Sequence, residues 1–394
     1  MIQSVLKDSL RYVGCVNGDE AFTGPRRAEI YLTNKCNLDC IACWSFSPLL
    51  KPEQRLGPAE IEWGCAQSLF RDLAEGGCQE ILFVGGGEPM IYPKIMEAIE
   101  EVKSLGMSCF VTTNMTPVTA KRADRMFNLG LDRLYVSLWA ATPATYDVTH
   151  PNASEKDFHK IDERLRQFRD LKARTRQSNP AIIIHNVIFK DNYHEVRAMI
   201  DYALEMGVDA VQFTVSAIIE GSTNVLLMDQ RMRDAIIDQL DSIPDEIQQR
   251  PGIHGPGTFL WEIDNFRRRV EEDTYSEGVY DGSIFDTLPC QIGWFYTIVE
   301  ASGQVIPCCK GCTRPMGNIH QTSFREIWYG AKYDEFRNKG KYLPKTDEYF
   351  ESIGCMKMCD NVGHLRTIEE KMERLRPLEK IAKAANPLVK RFRS

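Results

Sequence analysis

The chain has 394 residues, 43% of them hydrophobic and 26% charged, with a formal net charge of −7. That content supports a large core and excludes wholesale disorder, and the acidic balance gives no global argument for nucleic-acid binding. No apolar run approaches the roughly 20 residues of a membrane-spanning helix. The N-terminal MIQSVLKDSLRYVGC lacks a basic stretch followed by an apolar one. The expected compartment is the cytoplasm, where thiols stay reduced, so the 13 cysteines call for burial, metal or catalysis rather than disulfides.

Residues 1–27 read as a lead-in, and strand and helix signals then alternate over 28–244. AEIYLT (28–33) is the first expected strand. A helix over 58–77 follows, with Pro58 near its start and glycines at its end. ILFVGG (81–86), MSCFVTT (107–113), LDRLYVSLW (131–139), AIIIHNVIF (181–189) and DAVQFTV (209–215) complete six strands. The intervening helices are expected near 93–105, 119–129, 155–177 and 193–206, with a last one near 229–241. Six mostly apolar strands alternating with helices point to an α/β fold, a parallel sheet closed only in part, a (βα)6 partial barrel. Ligands of such sheets gather at the C-terminal strand ends. Residues 245–288 carry Pro251, Gly252, Gly255, Pro256 and Gly257 and read as a connection. A cysteine-rich segment occupies 289–364, and a basic helical tail 365–394.

Cys15, Cys65, Cys78 and Cys109 stand alone and read as filler. Cys36, Cys40 and Cys43 follow the first strand on one loop. Three cysteines so close can hold three corners of a four-iron cluster and leave the fourth iron open. A zinc site with a distant fourth ligand is the alternative on spacing alone. One strand later, FVGGGEPM places Gly85, Gly86, Gly87 and Glu88 at the same sheet edge. Glycines there permit close backbone approach, and Glu88 can accept hydrogen bonds from a cationic amino group.

The combination resembles the radical S-adenosylmethionine (SAM) superfamily over residues 28–225. The resemblance implies that Cys36, Cys40 and Cys43 hold a 4Fe–4S cluster whose open iron binds SAM. Reductive cleavage would yield a 5′-deoxyadenosyl radical that abstracts hydrogen from a substrate carbon. Gly86, Gly87 and Glu88 would then meet the SAM amino group, with Asn114 and Ser137 near its methionyl and ribose parts and Asn186 a weaker candidate. The family usually has an aromatic residue just before the third cysteine. Here it is Ala42, which puts the adenine contacts in doubt, and Trp44 stands one position past Cys43.

The second cysteine group resembles the SPASM/Twitch extension of these enzymes. Its pieces are Cys290, Gly303, Cys308, the Gly317-Asn318-Ile319 step, the FREIW helix and the pair Cys355 and Cys359, with a hairpin through WFYTIVE, ASGQ and VIP. The resemblance implies one auxiliary 4Fe–4S cluster on Cys290, Cys308, Cys355 and Cys359, with Cys309 able to replace Cys308, and zinc as the alternative. Cys309 otherwise reads as structural, and Cys312 as a spare thiol or a hydrogen donor.

A closed auxiliary cluster favours electron transfer. The leading expectation is therefore an oxidoreductase performing dehydrogenation on a sugar or aminocyclitol. The alternatives are a peptide-modifying enzyme of ribosomal peptide maturation, or a sugar epimerase using Cys312. With some 27 residues before the first strand, a peptide-recognition module is not expected. Tyr135, His185, Gln212, Thr214, Ser216, His254 and Trp261 are candidates for substrate contact. The partners implied are a small-molecule or peptide substrate and a low-potential flavodoxin or ferredoxin, with no nucleic acid. Lys380, Lys383, Lys390, Arg391 and Arg393, interleaved with apolar residues, raise peripheral membrane contact through the tail.

Overall fold

The structure is a computed structural model that describes residues 2–375 except 19, 346, 347, 354, 356 and 357. The expected basic tail beyond residue 375 lies outside the described residues, as does the side chain of Cys312. No helix among the described residues is long and apolar enough to cross a membrane.

Ten strands among the described residues form one sheet. They are β1 (Arg27–Ile30), β2 (Glu80–Phe83), β3 (Ser108–Thr113), β4 (Arg133–Ser137) and β5 (Ala181–Ile188), then β6 (Ala210–Val215), β7 (Leu260–Trp261), β8 (Tyr296–Val299), β9 (Gln304–Ile306) and β10 (Gly317–Asn318). Their spatial order is β10-β9-β8-β1-β2-β3-β4-β5-β6-β7. Strands β1 to β7 run parallel, as six βα units require.

Alternation along the strands sorts the side chains onto two faces. Ala28, Ile30, Ile81, Phe83, Val111, Val136, Ile184 and Phe213 belong to the main core with the helices. Leu82, Phe110, Tyr135, Ile183 and Ala210 form a separate cluster. The helix Trp63–Gly76 shows the helical side: Ala66, Leu69, Phe70 and Leu73 are buried along one stripe, and Gly77 ends it at φ 88°. It begins later than Pro58 suggests. Glu60 bridges Thr33, and the Ile61 N–H donates to Leu32 O at 3.0 Å, so residues 60 and 61 are held extended.

Other elements carried no readable signal. Residues 2–17 form a helix whose buried Arg11 donates to the carbonyls of Gly24, Pro25 and Gly77. The 245–288 connection holds β7 and the helix Ile263–Glu271. The expected hairpin exists as β8 and β9, and β8 also pairs in parallel with β1, Arg27 opposite Tyr296. The cysteine-rich segment therefore continues the barrel sheet.

Candidate active site at two cysteine groups

The first group sits in the loop that leaves β1. Cys36 is exposed at the rim, and Cys40 and Cys43 are half-buried. Surrounding protein raises all three thiols above their ordinary range, Cys36 to about 11. The sulfurs also act on one another, Cys36 and Cys43 both raising Cys40. Three protonated thiols gathered this closely suit a cationic metal centre, which binds by displacing protons.

The glycines of β2's exit serve this loop. A Cβ at Gly86 would collide with the Asn34 side chain, and one at Gly87 with the Lys35 carbonyl. Gly87 N–H donates to Thr33 O and Glu88 N–H to Lys35 O, both at 2.9 Å. The close approach these glycines permit is to the cysteine loop itself.

Glu88 is buried at 3% exposure. Its carboxylate accepts from Met90 N–H at 2.9 Å, Thr113 Oγ1 at 2.6 Å and Asn114 N–H at 2.7 Å. Burial nevertheless pushes its carboxyl up to about 7, because three neutral donors only partly offset the lost hydration. Asn114 donates to Asn37 Oδ1 at 3.1 Å and so ties the end of β3 to the cysteine loop. Ser137 is half-buried at the end of β4, opposite His185. Asn186 accepts the Trp139 N–H at 3.0 Å, and its own amide nitrogen has no partner among the described residues. Ala42 packs with Trp139, Phe189 and Leu226, whereas Trp44 is 49% exposed and lies 6.2 Å from the Tyr31 ring.

The second group is gathered from distant segments. Cys290 and Cys308 are buried, and Cys355 and Cys359 are half-buried. Burial raises the Cys308 thiol, and Cys290, Cys355 and Cys359 each raise it further, so the four lie within electrostatic reach of one another. Cys309 points elsewhere: its thiol donates to Asp360 Oδ2 at 3.2 Å. Asp360 also accepts from Tyr280 OH at 2.7 Å and pairs with Lys310 at 3.4 Å. Burial alone would raise the Asp360 carboxyl, but Lys310 and these hydrogen bonds hold it below its ordinary value.

Asp360 reaches electrostatically to Glu29 on β1, which burial raises and Arg27 and Tyr296 oppose. Glu29, Asp360, Tyr296 and Cys309 thus link β1 to the second group. None was singled out from sequence except Cys309. The alternation of Glu29 between buried Ala28 and Ile30 was the available signal.

The seven candidates for substrate contact fall into subsets. Tyr135 and His254 both flank Trp261, at 5.9 and 5.6 Å between rings. His185 lies 3.3 Å from Thr214 Oγ1, and burial lowers its imidazole to about 4. Gln212 donates to Glu262 at 2.8 Å, and Ser216 is buried with its hydroxyl unpartnered among the described residues.

A parallel α/β sheet with cysteine groups at its C-terminal edge and on its appended hairpin defines an enzyme class built around iron–sulfur chemistry. Residues 30–219 match the radical SAM superfamily and residues 290–360 the SPASM iron–sulfur cluster-binding domain. The chain belongs to the radical SAM superfamily and carries a SPASM domain; the pair implies a SAM-binding 4Fe–4S cluster, SAM and an auxiliary cluster.

The chain is 23% identical over 325 residues to a tungsten-containing aldehyde ferredoxin oxidoreductase cofactor-modifying protein of Pyrococcus furiosus, covering 78% of this chain and 81% of that one. It is 23% identical over 333 residues to the PqqA peptide cyclase of Streptomyces rochei, covering 82% and 80%. Its fold is similar to Streptococcus suis SuiB bound to precursor peptide SuiA, with TM-score 0.58, 15% identity and coverage of 89% and 74%. It is also similar to anSMEcpe with bound AdoMet and Kp18Cys peptide, with TM-score 0.58, 16% identity and coverage of 91% and 99%.

Proposed function

We propose that this radical SAM enzyme modifies a peptide by hydrogen abstraction. Cys36, Cys40 and Cys43 hold the SAM-binding cluster, and Cys290, Cys308, Cys355 and Cys359 hold one auxiliary 4Fe–4S cluster. The observation that carries the reading is the pairing of three mutually coupled thiols on one edge loop with the buried Glu88 that acts on two of them. Peptides appear in the names of three similar proteins, the PqqA peptide cyclase, SuiB with SuiA and anSMEcpe with Kp18Cys, beside relatives named AdoMet-dependent heme synthases, and none of these supports the expected sugar or aminocyclitol.

When bound, cluster and SAM together supply a reductively generated 5′-deoxyadenosyl radical. This chain's residues bind and orient. Glu88, with a carboxyl raised to about 7, ionises when a cationic ammonium arrives and anchors it. Gly86 and Gly87 let the cysteine loop lie flat against the end of β2, while Asn114 and Ser137 present polar groups along the same edge. Glu29, whose carboxyl burial raises, would take a proton from the substrate radical, with the auxiliary cluster accepting the electron. We take the electron source to be a low-potential flavodoxin or ferredoxin.

The test is iron content and SAM cleavage after anaerobic reconstitution. Wild type should hold about eight irons and the Cys36/Cys40/Cys43→Ala variant about four, as two four-iron clusters require. Peptide libraries should then show a mass change dependent on SAM and reductant. About four irons falling to none would remove the auxiliary assignment, and turnover of sugars but no peptide would remove the substrate class.

A further inference from the structure

The three edge cysteines differ in how their sulfurs are met. The Cys43 Sγ accepts the N–H groups of Ser45 and Phe46, each at 3.4 Å. The Cys36 sulfur is met by the N–H groups of Leu38 and Asn37. The Cys40 sulfur, deeper in the protein, has its own N–H.

Two unused donors belong to the elements packed against the cysteine loop. Tyr146 and Trp139 are 0% and 9% exposed, and both the Tyr146 hydroxyl and the Trp139 indole N–H are buried. Neither has a hydrogen-bond partner among the described residues. An indole N–H can only donate, so burial without an acceptor is costly.

Placement is fixed from several directions. Ile41 N–H donates to Thr149 O at 3.0 Å, which seats the cysteine loop on the helix Pro143–Thr149 that carries Tyr146. Tyr146 stacks on His150 at 4.2 Å between ring centres, and the His150 ring lies 5.4 Å from that of Trp139, so the two side chains share one aromatic stack. Cys40, Ile41 and Ala42 pack against the cluster of Trp139, Phe189 and Leu226. Trp139 adopts φ 59°, a strained conformation for a bulky residue. Two buried asparagines hold it there: Asn186 accepts its N–H, and Asn192 donates to its carbonyl, both at 3.0 Å. A residue clamped in a strained conformation with an unused donor is placed for an acceptor that arrives later.

We propose that Tyr146 and Trp139 donate hydrogen bonds to the SAM-binding cluster at its Cys40 corner and raise that cluster's reduction potential. Donors to sulfur stabilise the more negative reduced state over the oxidised one. Both are positioning residues, and the inference rests on Cys36, Cys40 and Cys43 being the ligands.

The experiment is an EPR-monitored redox titration of reconstituted wild type, Tyr146→Phe, Trp139→Phe and the double variant. The edge cluster is recognised by its response to SAM. Each single variant should keep its iron and show a more negative midpoint, by about a tenfold change in the reduction constant, or about 59 mV for one electron. The double variant should shift further, and the auxiliary midpoint should stay fixed. Pulsed EPR in D2O should show exchangeable protons coupled to the reduced edge cluster, with one coupling lost in Tyr146→Phe and a different one lost in Trp139→Phe. Full iron content with an unchanged midpoint and proton coupling in both variants overturns the proposal alone. A Cys36/Cys40/Cys43→Ala variant that keeps all its iron overturns the ligand assignment and the proposal with it.

Discussion

Cys36, Cys40 and Cys43 come from a single loop at the rim, with Cys36 exposed, whereas Cys290, Cys308, Cys355 and Cys359 are collected from distant segments, with Cys290 and Cys308 buried. A loop of eight residues can present three sulfurs on one side only, which leaves the opposite side to a ligand. Four sulfurs converging from separate segments can enclose what they hold. Local sequence therefore suits the reactive site, and long-range packing suits the closed one.

That contrast can be broken by mutation. Replacing Cys36, Cys40 and Cys43 with Ala should reduce SAM cleavage to background, read as 5′-deoxyadenosine by chromatography. The next largest effect should come from Cys308→Ala. It should remove the auxiliary irons and abolish peptide product while uncoupled 5′-deoxyadenosine formation persists. Loss of SAM cleavage as well would mean that the two regions are not separable.

Glu88→Gln removes a charge-assisted contact worth about 1.5–3 kcal/mol, so SAM affinity should fall about 10- to 100-fold by calorimetry. The same residue has a pH signature in the metal-free protein. Its carboxyl sits at about 7 in the folded state against 4.5 ordinarily. The folded chain thus holds the proton more tightly. Glu88's contribution is fully present below pH 4.5 and is lost as pH rises through about 7. Thermal unfolding should show wild type losing up to about 3 kcal/mol relative to Glu88→Gln between those limits. His185, lowered to about 4 by burial, acts oppositely: its contribution is complete above 6.5 and is lost as pH falls toward 4. Trp44→Ala should have the smallest effect. The ring is half-exposed and lies outside the Trp139 cluster, so SAM affinity should change less than about twofold, as for most surface substitutions.

The six strands and the two cysteine groups could be read from the sequence because they rest on local signals: apolar runs, glycines, and cysteines a few positions apart. What joins them could not. The pairing of Tyr296 with Arg27 spans most of the chain, and no periodicity announces it. The two-residue β7 is too short to have a pattern. Glu29 looked like the polar half of an ordinary strand until Asp360 arrived from the far end of the chain. Gly86 and Gly87 have a further reason that no local signal announced, because the cysteine loop folds back upon them.

The parallel pairing of β1 with β8 has a kinetic consequence. Neighbouring strands lie about 4.8 Å apart and are locked in register by backbone hydrogen bonds. The separation between the two sulfur-lined centres is thus set by a ruler of peptide groups rather than by a tether. Tunnelling falls exponentially with distance, so in the proposed two-cluster enzyme a ruler of this kind would hold the electron transit time constant from one turnover to the next.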